Sequence, residues 1–75
     1  MGARKMRRLL ERALGYREDP DTRDGSHVWL VAEGRPRIRW AFHDARELAP
    51  IEVRNVLMRQ AGLTLDEARR VVRRG

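Results

Sequence analysis

The chain has 75 residues, enough for one domain with a modest core, since a chain of this size buries only about 60% of the surface its unfolded form exposes. It has no cysteine, which excludes disulfides and thiolate metal sites, and no carboxylates stand at a spacing that would complete a zinc site around its two histidines. Seventeen Lys and Arg against eleven acids leave a formal charge of +6, and every base except Lys5 is arginine, whose planar fork grips phosphate through two hydrogen bonds.

That balance is the electrostatic footprint of a nucleic-acid binder. A coding preference for arginine would give the same composition, so the positions of the residues have to decide. No apolar run is long enough to span a bilayer, and the N-terminus lacks the apolar stretch of a signal peptide. A cytoplasmic location with no membrane partner is therefore expected.

From Ala3 to Leu14 the apolar residues Met6, Leu9, Leu10, Ala13 and Leu14 recur at the spacing of a one-sided amphipathic helix, and Gly15 follows as a C-terminal cap. Lys5, Arg8 and their neighbours cover its other face, either as a solvated surface or as a phosphate-contacting ridge. Tyr16 to Asp24 is acidic and contains Pro20; it predicts at most a short edge strand near Tyr16, then a loop. His27 to Ala32 is a β-branched and aromatic run that predicts a strand. Glu33-Gly34-Arg35-Pro36 is turn chemistry. Arg37 to Phe42 alternates strictly, with Ile38, Trp40 and Phe42 on one face and Arg37, Arg39 and Ala41 on the other.

Pro50 suits the first turn of a second helix, in which Val53, Val56, Leu57 and Ala61 form the buried stripe and Gly62 ends the run. Thr64 and Glu67 form a capping box behind Leu63, and a last helix from Leu65 to about Arg73 is expected to bury Leu65, Ala68 and Val72. The order is α, two or three antiparallel strands, then α-α: a small α+β domain covering residues 1–75.

Parity assigns the faces of the hairpin. If Ile38, Trp40 and Phe42 point inward, their inward partners are Val28, Leu30 and Ala32, so paired residue numbers sum to an even number. A three-residue loop at Gly34-Arg35-Pro36 predicts Leu30 opposite Trp40, Val28 opposite Phe42 and His27 opposite His43. The outer face then collects His27, Trp29, Arg37, Arg39 and, if the strand continues, His43. A tryptophan between arginines suits base stacking or protein docking.

These residues resemble a known family. Gly25-Ser26-His27 opening an apolar strand is similar to the central motif of HicA toxins, and Ala41-Phe42-His43 resembles that family's proline-x-histidine. Glu47 to Pro50, Val53 to Leu57, and Gln60 to Thr64 followed by Glu67 continue the likeness in order, and the first helix with Gly15-Tyr16 fits the family's opening. The resemblance implies an α-β-β-β-α fold like a double-stranded-RNA-binding domain, with a short extra C-terminal helix here. It also implies an mRNA interferase, an endoribonuclease that needs no metal or other cofactor, neutralised by a HicB antitoxin. The catalytic role falls on His27. The chain departs from the family in a longer, acidic stretch before Gly25, in Ala41 where the family has proline, and in Ile51 where it has glycine.

Metal-free RNA cleavage needs a base for the 2′-hydroxyl, an acid for the leaving 5′-oxygen, and cations for the phosphate. His27 is the expected proton-transfer residue and His43 a possible second acid or base. Ser26, Trp29, Arg37, Arg39, Lys5 and Arg8 are the expected RNA contacts. Three rivals remain: a non-catalytic RNA-binding module, a toxin that has lost its activity, and a DNA-binding helix-turn-helix. The last is disfavoured by Asp66 and Glu67 at the start of its would-be recognition helix.

Overall fold

A computed structural model describes residues 1–24 and 27–74, the side chains of residues 22–24 aside. The elements run α1 (Ala3–Leu14), β1 (Arg17–Asp24), β2 (His27–Val31), β3 (Ile38–Trp40), α2 (Pro50–Arg54) with a π-helical continuation (Asn55–Gln60), and α3 (Leu65–Arg74). The three strands form an antiparallel sheet in the order β1-β2-β3.

One face of the sheet carries the core. Val28, Leu30, Ile38 and Trp40 are buried there beneath Ala3, Met6 and Leu10 of α1, with Leu48, Val56 and Leu57 completing the cluster. Burying side chains of this size stabilises the fold by about 1.5–3 kcal/mol each. Tyr16 enters the core and donates its hydroxyl to the Pro36 carbonyl at 2.7 Å, so that burial holds its phenol above the ordinary tyrosine range. The expected assignment of faces is correct.

α1 ends where Gly15 takes a positive φ of 77°, its N–H donating to the Glu11 carbonyl and that of Tyr16 to the Leu10 carbonyl. The Ala3 N–H donates to the Arg46 carbonyl and the Leu48 N–H to the Met1 carbonyl, which ties the start of α1 to the segment before α2.

Three expectations need correction. The first concerns β1, which extends through the acidic stretch to Asp24 instead of stopping near Tyr16. Among the described residues it is an edge strand with β2 as its sole neighbour, which is where a proline is tolerated. Its pairs run Arg17–Val31, Glu18–Leu30 and Asp19–Trp29, then jump to Asp24–His27. The four residues between Asp19 and Asp24 thus lie opposite Val28 alone, so the long acidic stretch is absorbed as a bulge beside His27.

The second concerns the hairpin register. Leu30 pairs with Ile38, Trp29 with Arg39 and Val28 with Trp40. The expected parity holds, but the strands are displaced by two residues. The turn is centred on Gly34 instead of Arg35: Arg35 donates to the Ala32 carbonyl and Gly34 has a φ of 73°, the positive φ that a type II turn demands at its third position. His27 therefore does not pair with His43.

The third is the face of α3. Ala68 and Val71 are buried, whereas Leu65 and Val72 are 38% and 39% exposed. The capping box itself forms: the Thr64 N–H donates to Glu67 at 2.9 Å and the Glu67 N–H to the Thr64 hydroxyl at 3.2 Å.

The candidate RNA-facing sheet surface

Among the described residues no helix covers the outer face of the sheet, where Arg37 and Arg39 are exposed, while α1 packs into the core on the inner one. His27 opens β2 and points outward by the same alternation that buries Val28 and Leu30. The residue is half-buried, and its side chain forms no hydrogen bond or ion pair with another described residue. Two positions on, Trp29 shares that face and stands directly opposite Arg39.

Arg37, diagonal to Trp29 across the strand pair, lays its guanidinium 4.5 Å from the centre of the indole. This contact fixes a mobile side chain, at a worth of about 0.5–1 kcal/mol for an exposed pair. It also occupies one face of the ring. Arg37 and Arg39 are both exposed, and neither makes an ion pair with a described carboxylate.

Other arginines are already committed. Arg7 bonds Glu18 at 2.9 Å and tethers α1 to the edge strand, and Arg46 bonds Glu52 at 2.6 Å while lying over the Phe42 ring. The cations of the sheet face therefore differ from these in having no acidic partner among the described residues.

His43 lies beyond the end of β3, exposed, on a turn closed by the Arg46 N–H donating to its carbonyl. After Trp40 it is Ala41, not His43, that continues toward the row of His27. Ser26 falls outside the described residues. Lys5 and Arg8 are brought together with Arg12 and Arg74 along a groove where α1 meets the end of α3. That surface is separated from the outer sheet face by the core. The site residues of the sequence thus fall into two basic surfaces and one isolated histidine. Arg74 joins Lys5 only through the packing of α3 against α1, a tertiary contact with no local signal in the sequence.

The bulge of β1 brings an acidic edge to the same face, with Asp19 across from Trp29. Among the described residues, no group of three His, Asp or Glu side chains is placed to hold a metal ion. Also among them, no helix is long and apolar enough to cross a membrane.

The order of elements, the helix packed on one face of a three-stranded meander and the open outer face agree with the double-stranded-RNA-binding-domain-like architecture. Residues 3–63 match the family described as the HicA toxin of bacterial toxin–antitoxin systems. The chain belongs to the HicA toxin family. It is accordingly a toxin of a toxin–antitoxin pair, with an antitoxin as partner. No curated protein and no solved structure matches it significantly. Of the three departures of this HicA sequence, the longer stretch is taken up by the β1 bulge. Ile51 is exposed at the start of α2, where Pro50 still opens the helix and the Ala49 N–H is held by Glu52.

Proposed function

We propose that this HicA toxin is a metal-independent endoribonuclease that acts on mRNA with the outer face of its sheet, His27 carrying the proton transfer. The observation that carries the reading is a half-buried histidine with no described partner, on one open face with Trp29 and two arginines free of described carboxylates.

In this reading the 2′-oxygen of a ribose attacks the adjacent phosphorus as the bond to the 5′-oxygen breaks. His27 takes the 2′-hydroxyl proton, a task suited to histidine because the side chain titrates near neutrality. Arg39 and the stacked Arg37 hold the phosphate oxygens, where negative charge builds up. The free face of Trp29 receives a base. The 5′-oxygen needs a proton, and His43 is the candidate donor from its turn. Ser26, next to His27 in sequence, belongs to the same RNA contact, while Lys5 and Arg8 supply a second, more distant phosphate contact. The antitoxin is of the HicB type, and neutralises the toxin by covering the sheet face.

The chemistry is tested by the sugar. A mixed-sequence single-stranded RNA should be cut, while its fully 2′-O-methylated counterpart is bound and left whole. Equal cutting of both, or binding of both with no cutting of either, would replace this reading with a contaminating activity or a non-catalytic binding module.

A further inference from the structure

A groove of about 520 Å³ lies away from the sheet face, between α2 with its π-helical continuation and α3. Val53 and Leu57 line it from one side, Leu65 and Val72 from the other. Leu65 and Val72 are large apolar side chains that α3 leaves in solvent. The charged side chains along the groove are Arg54, Arg69 and Arg73, and among the described residues no Asp or Glu lines it. His27, Trp29, Arg37 and Arg39 take no part in it.

The lining selects the occupant. A nucleic-acid backbone gains nothing from an apolar floor, and a lipid surface is flat where this site is concave. A second copy of the chain would bring the same three arginines against these, across an interface between two bodies of charge +6. What complements the groove is an apolar stripe edged by carboxylates. We propose that the α2–α3 groove docks an amphipathic segment of a partner protein, its apolar stripe on Leu57, Leu65 and Val72 and its Asp or Glu edge on Arg54, Arg69 and Arg73. α3 lies outside residues 3–63, so the site joins the family-matched part of the chain to a helix beyond it. The groove shares no residue with the sheet face, so a segment bound here leaves His27 and Trp29 uncovered.

The test uses two synthetic helical peptides with the same leucine stripe, one edged with Glu and the other with Lys, titrated into the isotope-labelled full chain. The Glu-edged peptide is expected to shift the amide signals of Leu57, Leu65 and Val72 and to leave those of Trp29 and Arg39 in place. Its affinity should exceed that of the Lys-edged peptide at least tenfold. The same loss is expected from Arg69→Glu and from Val72→Glu, two exposed positions at which an otherwise unchanged amide spectrum checks the fold. Equal affinity for both peptides, no binding, or shifts confined to the sheet face would overturn the proposal. So would self-association, or adhesion to anionic vesicles, that Val72→Glu abolishes. RNA cleavage by Val72→Glu should stay within twofold of wild type. Failure of the wild type to cut RNA would remove the ribonuclease reading and leave the groove result standing.

Discussion

Trp29 does two jobs that its position in the sequence hides. It fixes Arg37 through its ring, and it stands opposite Arg39, so one side chain organises the cations of the open face. Replacing it with alanine should release Arg37 and remove a stacking surface worth about 1–3 kcal/mol per base, a loss readable by RNA titration. The fold should survive, because the core lies on the other side of the sheet. His43 is tested differently. If two histidines share the proton transfers, the rate–pH profile is bell-shaped, and His43→Ala should remove one limb while binding stays within twofold. An unchanged profile would give the second transfer to water. The outward placement of His27 and Trp29 was legible in the alternation of apolar residues, since parity alone decides it. The cross-strand partner was not legible. It depends on where the turn is centred, and Gly34 serves a type II turn as readily as a three-residue loop.

The elements show where local chemistry decides and where packing overrides it. The capping box at Thr64 and Glu67 was readable because both hydrogen bonds are local. Thr64→Ala is expected to cost about 1 kcal/mol in denaturant titration. Glu67 is held below the ordinary carboxylate range, first by the Thr64 backbone N–H and then by its hydroxyl. A carboxyl whose folded pKa is lowered contributes stability that is present above its unfolded pKa and lost as the pH falls through the folded one. The difference in Tm between wild type and Glu67→Ala should therefore shrink toward acid pH, and a difference independent of pH would remove the carboxylate from the cap. β1 was under-read because Glu, Asp and Pro have little intrinsic preference for strands; its pairing with β2 is a tertiary effect. The face of α3 was misjudged because Val71 and Val72 are adjacent and periodicity accepts either. Packing chose Val71, and the exposed pair of Leu65 and Val72 became a groove wall. The π-helical segment also left no sign in the sequence. Its Ala61 N–H bonds the Val56 carbonyl, which stacks residues five apart and keeps both in the core.

At the scale of the molecule, the charge of +6 is divided among surfaces with different tasks. The sheet face carries Arg37 and Arg39, the α1 ridge carries Lys5, Arg8 and Arg12, and the α2–α3 groove carries Arg54, Arg69 and Arg73. Composition gave the sum and could not give the partition. Affinity for single-stranded RNA should fall with salt, and each phosphate contact removed should reduce the slope of log K against log salt by about 0.7. Arg39→Ala is expected to reduce both that slope and the cleavage rate. Lys5→Ala with Arg8→Ala should reduce the slope and leave the rate at saturating RNA unchanged, because the core lies between those residues and His27. Equal effects of the two changes on the rate would merge the surfaces into one site.

The central claim is that His27 cuts RNA without a metal. It is tested most directly by incubating the purified chain and a folded His27→Ala variant with labelled single-stranded RNA in EDTA. The account predicts cleavage by the wild type and at least a hundredfold slower cleavage by the variant, with RNA binding retained by both. Cleavage at equal rates, or retained binding with no cleavage by the wild type, would contradict it.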